Sequence, residues 1–500
     1  MNKKNNLINF IDTRSIRMLL LGFSAGLPIL LVFSTLSVWL IKAGVNRSTV
    51  TLFSWAGFAY SFKFIWTPLV DNLKLPLFGK LGHRRGWLLF SQLMIVISLI
   101  FTSTTDPSKT LFFTALGIVC VAFSSATQDI VIDAFRIESA PEKLQGALSS
   151  MYIAGYRIAM LVAGAGSLWL AAFLGLDIYN ANVWKTVYLV MASLMSIGII
   201  TTFFSPEPKL KRQNIKSFKN QIKFILVFII AIITFIIIYS NLNNTFLAKD
   251  CGMIKFLCEQ PLNKFLFGMF KIITCLLGSA LVIYILTKLN FISKKIIYNS
   301  YANPILDFIN RYKKVAIAIL ILIALYRIAD VVMGVMANIF YLEKGFNVRE
   351  IATYSKFFGV FATIVGGFAG GYSAIKMGTI KALFIGAVVA AASNLLFAWL
   401  AVSSTDIKLL IFVITADNIS SGFAGAAFVV YLSALTSIKF TATQYALFSS
   451  IMLFLPKLLA GYAGGMVDIM GYANFYVFTA ILGVPVLFLI FWISKIAPIK

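Results

Sequence analysis

The chain has 500 residues, of which 60% belong to the hydrophobic set and only 12% are charged, and its mean hydropathy is +0.90. A soluble protein of this length carries about twice this share of charged residues, so the composition excludes a soluble enzyme and predicts an integral membrane protein. The formal charge of +25 is typical of a polytopic membrane protein, because Lys and Arg collect in its cytoplasmic loops. We therefore expect no nucleic-acid partner.

Apolar runs long enough to cross a bilayer as helices follow one another along the chain. Their unbroken length predicts an all-α integral membrane protein rather than a β-barrel, whose strands alternate apolar and polar residues. The first six runs lie near residues 18–41, 49–70, 87–104, 110–134, 146–174 and 186–205. Two more lie near 224–240 and 265–287, and the last six near 315–341, 350–375, 380–402, 407–437, 442–468 and 473–494. The expected architecture is two six-helix halves with a two-helix insert, 14 spans in all.

The basic segments divide the chain into three expected domains. These are an N-terminal six-span half over 1–205, cytoplasmic linkers with the two-span insert over 206–314, and a C-terminal six-span half over 315–500. If successive spans cross the membrane in opposite directions, most of the 43 Lys and Arg residues lie in segments on the same side of the membrane as the termini. Since the cytoplasmic side carries the excess of Lys and Arg, this predicts that both termini are cytoplasmic. The fifth span and the run near 442–468 share small and basic residues at one spacing, as two parallel halves require: Ser149, Ser150, Arg157 and Gly164, then Ser449, Ser450, Lys457 and Gly464.

Metal and redox chemistry have few candidate ligands in this sequence. The one histidine, His83, is followed by Arg84 and Arg85, and the four cysteines are scattered without metal-ligand spacing. We therefore expect no metal and no cofactor. Cys251 and Cys258 share one loop on the expected periplasmic side, where they form either a disulfide or two free thiols.

Acidic residues inside the predicted spans are candidates for proton carriers, because an ionisable group in hydrocarbon needs a cavity or a partner. Asp129 and Asp133 lie four residues apart next to Gln128, so both carboxylates share one helix face. Their like charges raise the pKa of one of the two, as proton coupling requires. The alternative for Asp133 is that it pairs with Arg136 and caps the span.

Two further acidic positions lie in the second half. Arg327 and Asp330 are three residues apart, so they are close enough to pair, either as a structural ion pair or as a coupling site. Asp417, followed by Asn418, lies in an otherwise small and apolar helix. A lone acid at that depth is a candidate proton site.

Basic residues inside the spans indicate an anionic solute, because a buried cation without an anion needs a charged ligand. Lys63 and Arg157 are the main candidates, and Lys356 and Lys457 add to them unless they extend to the membrane surface. Asn394 and Gln444 offer neutral hydrogen bonds to a sugar or a peptide, or else to a neighbouring helix. In the loop after the second span, Asp71 and the pair Arg84 and Arg85 predict a cytoplasmic gating latch, with a solvated basic loop as the alternative.

Several segments resemble the AmpG muropeptide permeases of the major facilitator superfamily. They are GFSAGLP (22–28), AYSFKFIWTPLVD (59–71), RRGW (84–87), QDIVIDA (128–134), GYRIAML (155–161), PEP (206–208), LYRIAD (325–330) and TATQYAL (441–447). They are spread over most of the chain, and the two-span insert is also typical of that family. The departures are the long loop over 72–83 and a Lys- and Asn-rich insert, and Asp417 stands where relatives tend to have Glu.

The resemblance implies the major facilitator fold and proton-driven import of anhydro-muropeptides across the bacterial inner membrane for cell-wall recycling. It also implies that the charged positions matching the family take part, namely Lys63, Asp129, Asp133, Arg157 and Asp330. The expected partners are an anionic sugar-peptide, protons and the lipid bilayer, and the expected state is a monomer. In the resulting hypothesis Tyr60 and Tyr156 stack on the sugar faces while the two halves rock about a central site.

Three alternatives stay open at this point. The first is the same fold with another anionic cargo, such as a nucleotide or an acyl-CoA. The second is an exporter of drugs or lipids, which would need a more apolar cavity than these charged residues give. The third is a membrane enzyme or a receptor, which is disfavoured because no histidine or cysteine site lies within the spans and no soluble sensing domain is present.

Overall fold

The structure is a computed structural model that describes residues 12–45, 49–50, 53–175, 179–208, 215, 217–244, 261–346, 348–460 and 463–496. All regular elements within these ranges are helical, which confirms the predicted all-α class. Among the described residues, 13 helices are long and apolar enough to cross a membrane. The long apolar runs of the sequence therefore do form helices.

The helices of the first half follow the predicted runs closely. They are α1 (Thr13–Lys42, interrupted at Phe33), α2 (the short helices Phe58–Phe62 and Thr67–Asn72 with the 3-10 turns Phe53–Gly57 and Lys63–Ile65), α3 (His83–Ser103), α4 (Leu111–Ser139), α5 (Glu142–Phe173) and α6 (Ala181–Phe204).

The remaining helices comprise the insert and the second half. They are α7 (Phe218–Asn244), α8 (Pro261–Lys288), α9 (Ala316–Leu325 and Ile328–Glu343), α10 (Gly359–Met377), α11 (Thr379–Val402), α12 (Ile407–Leu435), α13 (Thr441–Ala460) and α14 (Val484–Ile496). The helix Ala463–Leu482 bends at Gly471, whose φ is 74°. Its first part continues α13 and its second part leads into α14, as the predicted runs near 442–468 and 473–494 require.

The second predicted span, near 49–70, is not one continuous helix. Pro68 has no N–H to donate to the Phe64 carbonyl one turn earlier, so the helical hydrogen-bond pattern is interrupted before it. Trp66, with φ −101° and ψ −2°, lies between the 3-10 turn Lys63–Ile65 and the helix Thr67–Asn72. The Lys63 carbonyl accepts from the Trp66 N–H and from the Thr67 hydroxyl (2.8 Å). Hydropathy alone does not reveal this break, because apolar residues stand on both sides of it.

The described residues form two compact units. The first comprises Met1–Val70, Leu75–Lys211 and Phe308–Lys500, and the second comprises Asp71–Lys74 and Arg212–Asp307. The first unit contains the helices of both halves. The second contains α7 and α8, where the Ser279 hydroxyl donates to the Ala231 carbonyl at 3.0 Å.

Close helix contacts in the first unit depend on glycine. A Cβ atom placed on Gly155 of α5 would lie 1.9 Å from the Leu19 carbonyl oxygen of α1, and one on Gly26 would lie 2.3 Å from the Tyr156 carbonyl oxygen. In the second half, a Cβ on Gly366 of α10 would lie 2.1 Å from the Ile419 carbonyl oxygen of α12. Small residues let membrane helices approach in this way, so α1 packs on α5 and α10 on α12 backbone to backbone.

Candidate functional site

The first cluster of buried charges lies between α2 and α4. The Lys63 ammonium is 3.7 Å from Asp133 Oδ2, and the other Asp133 oxygen is 3.5 Å from Arg136 Nη2. Asp129 lies one turn earlier on α4 and is 8% exposed, and its Oδ1 has no hydrogen-bond partner among the described residues. Tyr60 and Tyr156 lie close enough to Asp129 for electrostatic interaction. Five predicted residues thus come together here with their partner Arg136: Lys63, Asp129, Asp133, Tyr60 and Tyr156.

Arg136 connects this cluster to the second half of the chain. Its Nη1 donates to the Ser433 hydroxyl of α12 (2.8 Å) and to the Ser149 hydroxyl of α5 (3.1 Å). The guanidinium also lies over the Tyr445 ring of α13, 5.3 Å from its centre. Arg136 is fully buried between Asp133 and side chains of the second half. A change in the charge of Asp133 can therefore change the contact between the two halves. We call the end of the unit where α4 ends and α5 begins the Arg136 end.

Other contacts between the halves lie at the Arg136 end. A Cβ on Gly146 of α5 would lie 2.5 Å from the Gly371 carbonyl oxygen of α10. The Ser150 hydroxyl donates to the Gly367 carbonyl across the same two helices at 2.8 Å. The halves are therefore in backbone contact at this end.

The second cluster lies in the second half, where α9 is broken. Arg327 occupies the break with φ −97° and ψ 8° and pairs with Asp330 one turn later. Asp417 of α12 accepts a hydrogen bond from Ser393 of α11 (3.2 Å) and is close enough to interact electrostatically with both Asp330 and Arg327. Ser421 contacts Asp330 at 3.5 Å. Of the two predicted acids of this half, Asp330 pairs with Arg327, and Asp417 lies near this pair without an ion pair of its own among the described residues.

Arg157 follows Tyr156 of the first cluster in the sequence and interacts electrostatically with the second cluster. It is half-buried on α5, and among the described residues it forms no salt bridge, its nearest polar contact being Met160 Sδ at 4.0 Å. It nevertheless lies close enough to Arg327 and Asp330 for electrostatic interaction. Two guanidinium groups, one from each half, thus face the same region, and one of them has no carboxylate of its own. Such an arrangement attracts an anion.

The neutral candidates lie in helix contacts. Gln128 accepts from Ser24 of α1 (3.2 Å), Asn394 donates to the Ala329 carbonyl and to Thr479, and Asn418 accepts from Thr363 of α10 (3.0 Å). Gln444 accepts from Arg311 (2.9 Å) and from the Ser437 backbone N–H (2.7 Å). The hydrogen bonds of these four side chains run to neighbouring helices and loops, and their part in substrate binding stays a prediction.

The predicted gating arginines form a network with two acids that the sequence analysis missed. Arg84 is buried and pairs with Glu138 at the end of α4, with Nη2 2.7 Å from Oε1. The Glu207 carboxylate accepts from the backbone N–H groups of Arg84 (2.9 Å) and Arg85 (3.0 Å), so it caps the start of α3. Asp71 lies in the last turn of α2, and its latch with the two arginines stays a prediction.

Two sets of predicted residues lie outside what the structure describes. Cys251 and Cys258 belong to the undescribed segment 245–260, and the side chain of Lys356 is likewise outside the described part. Lys457 is described and exposed, and its ammonium donates to the Ser61 hydroxyl at 3.4 Å. Among the described residues, no three His, Cys, Asp or Glu side chains are grouped as metal ligands.

Comparison with known proteins gives a consistent result. The sequence profile of the Major Facilitator Superfamily matches residues 18–436. AmpG 4 of Rickettsia felis is 30% identical over 97% of this chain and 98% of its own length. The anhydromuropeptide permease of Escherichia coli is 29% identical over 96% of this chain and 80% of its own length.

Solved structures with the same fold are also transporters by name. The proton:xylose symporter XylE superposes with a TM-score of 0.60 over 99% of this chain and 96% of its own, at 10% identity. The transporter FucP in the outward conformation superposes with a TM-score of 0.59 over 97% of this chain and 99% of its own, also at 10% identity. At these identities the similarity concerns the fold alone.

Proposed function

Since the chain belongs to the major facilitator superfamily, and within it to the AmpG permease family, we propose that it imports anhydro-muropeptides by proton symport. Members of this family are transporters and not enzymes. The proposed substrates are N-acetylglucosaminyl-anhydro-N-acetylmuramyl peptides. The proposed place is the bacterial inner membrane, with both termini in the cytoplasm, and the proposed role is peptidoglycan recycling.

The observation that carries the proposal is the environment of Arg157. It is a half-buried cation without a salt bridge among the described residues, and it faces the Arg327 and Asp330 pair of the other half. A peptide carboxylate placed between the two guanidinium groups would receive charge-assisted, bidentate hydrogen bonds. Tyr60 and Tyr156, which lie near the same charges, would stack on the sugar rings.

Lys63 has a different role in this scheme from Arg157. Asp133 holds the Lys63 ammonium at 3.7 Å in the structure. Lys63 would become free for a substrate carboxylate when Asp133 takes up a proton. Substrate binding and protonation would then favour each other, as symport requires.

Four carboxyl groups are the proposed proton carriers: Asp129, Asp133, Asp330 and Asp417. Asp129 Oδ1 is buried and has no hydrogen-bond partner among the described residues, so a proton could be placed there without breaking an existing contact. Asp417 lies near the pair of Asp330 and Arg327, and one guanidinium neutralises one carboxylate. Arrival of a substrate anion at Arg327 would therefore favour protonation of one of these two acids.

The conformational part of the proposal is alternating access by rocking of the two halves. The contacts of Arg136 with Ser433 and Tyr445 hold the halves together at the Arg136 end, which the distribution of Lys and Arg assigns to the cytoplasm. These contacts must break for substrate release on that side. Asp71, Arg84 and Arg85 are proposed to gate the same side, and the transporter is proposed to act as a monomer.

A second candidate is transport of another anionic solute, such as a nucleotide or an acyl-CoA, because a cation in the site attracts any of these. Uptake of labelled anhydro-muropeptide into cells that lack their own permease and express this chain separates the two. We expect uptake that unlabelled muropeptide abolishes and that nucleotides and acyl-CoA leave unchanged. Absent uptake, with the protein shown to be in the membrane, would overturn the muropeptide assignment.

A further inference from the structure

The hairpin of α7 and α8 presents one strongly basic end. The helices run antiparallel, because Ser279 of α8 bonds to Ala231 of α7 while Lys271, eight residues earlier on α8, lies over the ring of Tyr239, eight residues later on α7. The start of α7 and the end of α8 therefore lie together. Lysines gather there, four of them exposed and Lys223 half-buried: Lys219, Lys223, Lys288, Lys294 and Lys295. The described acids of this unit are Asp71 and Asp307, so positive charge is in excess.

Large apolar side chains are exposed at the same level as the lysines. Phe218 at the start of α7 is 68% exposed, Leu289 after α8 is 72% exposed, and Tyr298 is 46% exposed. The Lys223 ammonium lies 5.5 Å from the centre of the Phe291 ring. Aromatic and leucine side chains mixed with lysines are typical of the zone where acyl chains meet lipid headgroups.

The chain makes a tight turn directly after α8. Asn290 adopts a left-handed conformation with φ 55°, and the Phe291 N–H donates to the Leu286 carbonyl at 3.0 Å. This turn ends α8 and redirects the chain into the short helix Lys294–Ile297. Lys288 and the pair Lys294 and Lys295 therefore lie on either side of one tight turn.

We propose that this basic end, formed by Lys219, Lys223, Lys288, Lys294 and Lys295, binds the headgroups of anionic phospholipids. The lysines supply the charge that a phosphate attracts, and Phe218, Leu289 and Tyr298 anchor the end among the acyl chains. The outer faces of both helices carry exposed apolar side chains such as Ile236 (59%) and Leu281 (58%), which is consistent with lipid around the whole hairpin. The proposal is independent of the transported substrate.

The test is native mass spectrometry of the purified full-length protein with phosphatidylglycerol and phosphatidylcholine of identical acyl chains. We expect retention of phosphatidylglycerol over phosphatidylcholine. The combined K219Q, K288Q, K294Q and K295Q variant should lower the apparent affinity for phosphatidylglycerol by at least about tenfold, since each lysine near an anionic headgroup contributes. High salt should weaken the binding of the unsubstituted protein in the same direction.

A matched control removes four exposed lysines from the first unit: K42Q, K109Q, K185Q and K408Q. It changes the net charge equally and should leave phosphatidylglycerol retention unchanged. Equal retention in the test and control variants, or equal retention of the two lipids by the unsubstituted protein, would overturn the proposal. If the fourfold variant does not elute as a folded protein, K219Q with K288Q and K294Q with K295Q are measured as two separate pairs.

Discussion

At the scale of single residues, Arg157 is the side chain on which substrate binding depends most in our proposal. R157Q should raise the KM for muropeptide uptake about ten- to a hundredfold, because a charge-assisted hydrogen bond to the substrate carboxylate is lost. R157K keeps the positive charge but loses the planar guanidinium that makes two parallel hydrogen bonds. Its KM should therefore lie between that of the unsubstituted protein and that of R157Q. The measurement is initial uptake rate against substrate concentration, with K185Q, an exposed lysine of α6, as the control. An unchanged KM in R157Q would refute this role.

Asp417 is the residue on which coupling is expected to depend. D417N removes a proton site while keeping a side chain that can bond to Ser393. We expect accumulation against a gradient to fall more than about tenfold while exchange of internal for external substrate continues, because exchange needs no net proton movement. The exposed acid Asp468 provides the control D468N. Equal loss of accumulation and exchange would mean that Asp417 supports folding or binding rather than coupling.

The charged site residues could be predicted from the sequence, and their partners could not. Lys63, Asp129 and Asp417 stand out because an ionisable group is rare and costly in an apolar helix. Whether a polar residue faces a site or a neighbouring helix depends on helix rotation, which the spacing does not determine. Gln128 and Gln444 are examples, since both bond to other helices or loops.

At the scale of helices, the glycine contacts between α1 and α5 should be the most sensitive to substitution. G155A places a Cβ 1.9 Å from the Leu19 carbonyl oxygen, and a backbone atom cannot move aside. We expect about 1–3 kcal/mol of destabilisation from overpacking, with a lower melting temperature in detergent and a lower yield. G164A meets the flexible Leu30 side chain instead and should have a smaller effect.

Gly464 is the matched control for this prediction. It lies in the corresponding region of the second half, and a Cβ there meets no atom within 4 Å. G464A should therefore melt within the error of the unsubstituted protein. Equal melting temperatures for G155A and G464A would show that the α1 and α5 contact is looser than the structure indicates.

The helix boundaries follow from the sequence with two exceptions, the breaks in α2 and in α9. Length and hydropathy predict the apolar spans because each must satisfy its backbone hydrogen bonds internally. The fragmented α2 was not predicted, because its break arises from the position of Pro68 within a run that is apolar on both sides. The break in α9 at Arg327 was likewise unexpected, and the residues there give no signal comparable to a proline.

At the scale of the whole transporter, Arg136 is expected to control which end is closed. R136Q removes the donor to Ser433 and the cation over Tyr445, while Asp133 keeps Lys63. Losing a buried charge-assisted hydrogen bond of about 1.5–3 kcal/mol shifts a two-state equilibrium more than tenfold. We expect the Arg136 end to open.

Distances between spin labels measure this opening. Labels at exposed Lys143 and Lys439, each replaced by cysteine in a chain without native cysteines, report on the two halves at the Arg136 end. R136Q should increase the population with long distances, and K376Q, a single exposed cation near the same end, should not. Identical distance distributions in both variants would show that Arg136 does not hold the halves together.

The overall fold could be predicted from the sequence, through the family resemblance and the succession of apolar runs. The family match over residues 18–436 confirms it. The contacts between the halves could not be predicted from the sequence. Arg136 and Ser433 are almost 300 residues apart, and neither is unusual in its local sequence. Only the packed arrangement of α4, α5, α12 and α13 brings them together.

The central claim, proton-coupled import of an anhydro-muropeptide, is tested most directly with the purified protein in liposomes. An imposed pH gradient, acidic on the side opposite the Arg136 end, is applied with labelled muropeptide on the acidic side. We predict accumulation above the external concentration that a protonophore abolishes. Accumulation that is equal with and without the gradient, or no transport by protein that is shown to be folded, would contradict the account.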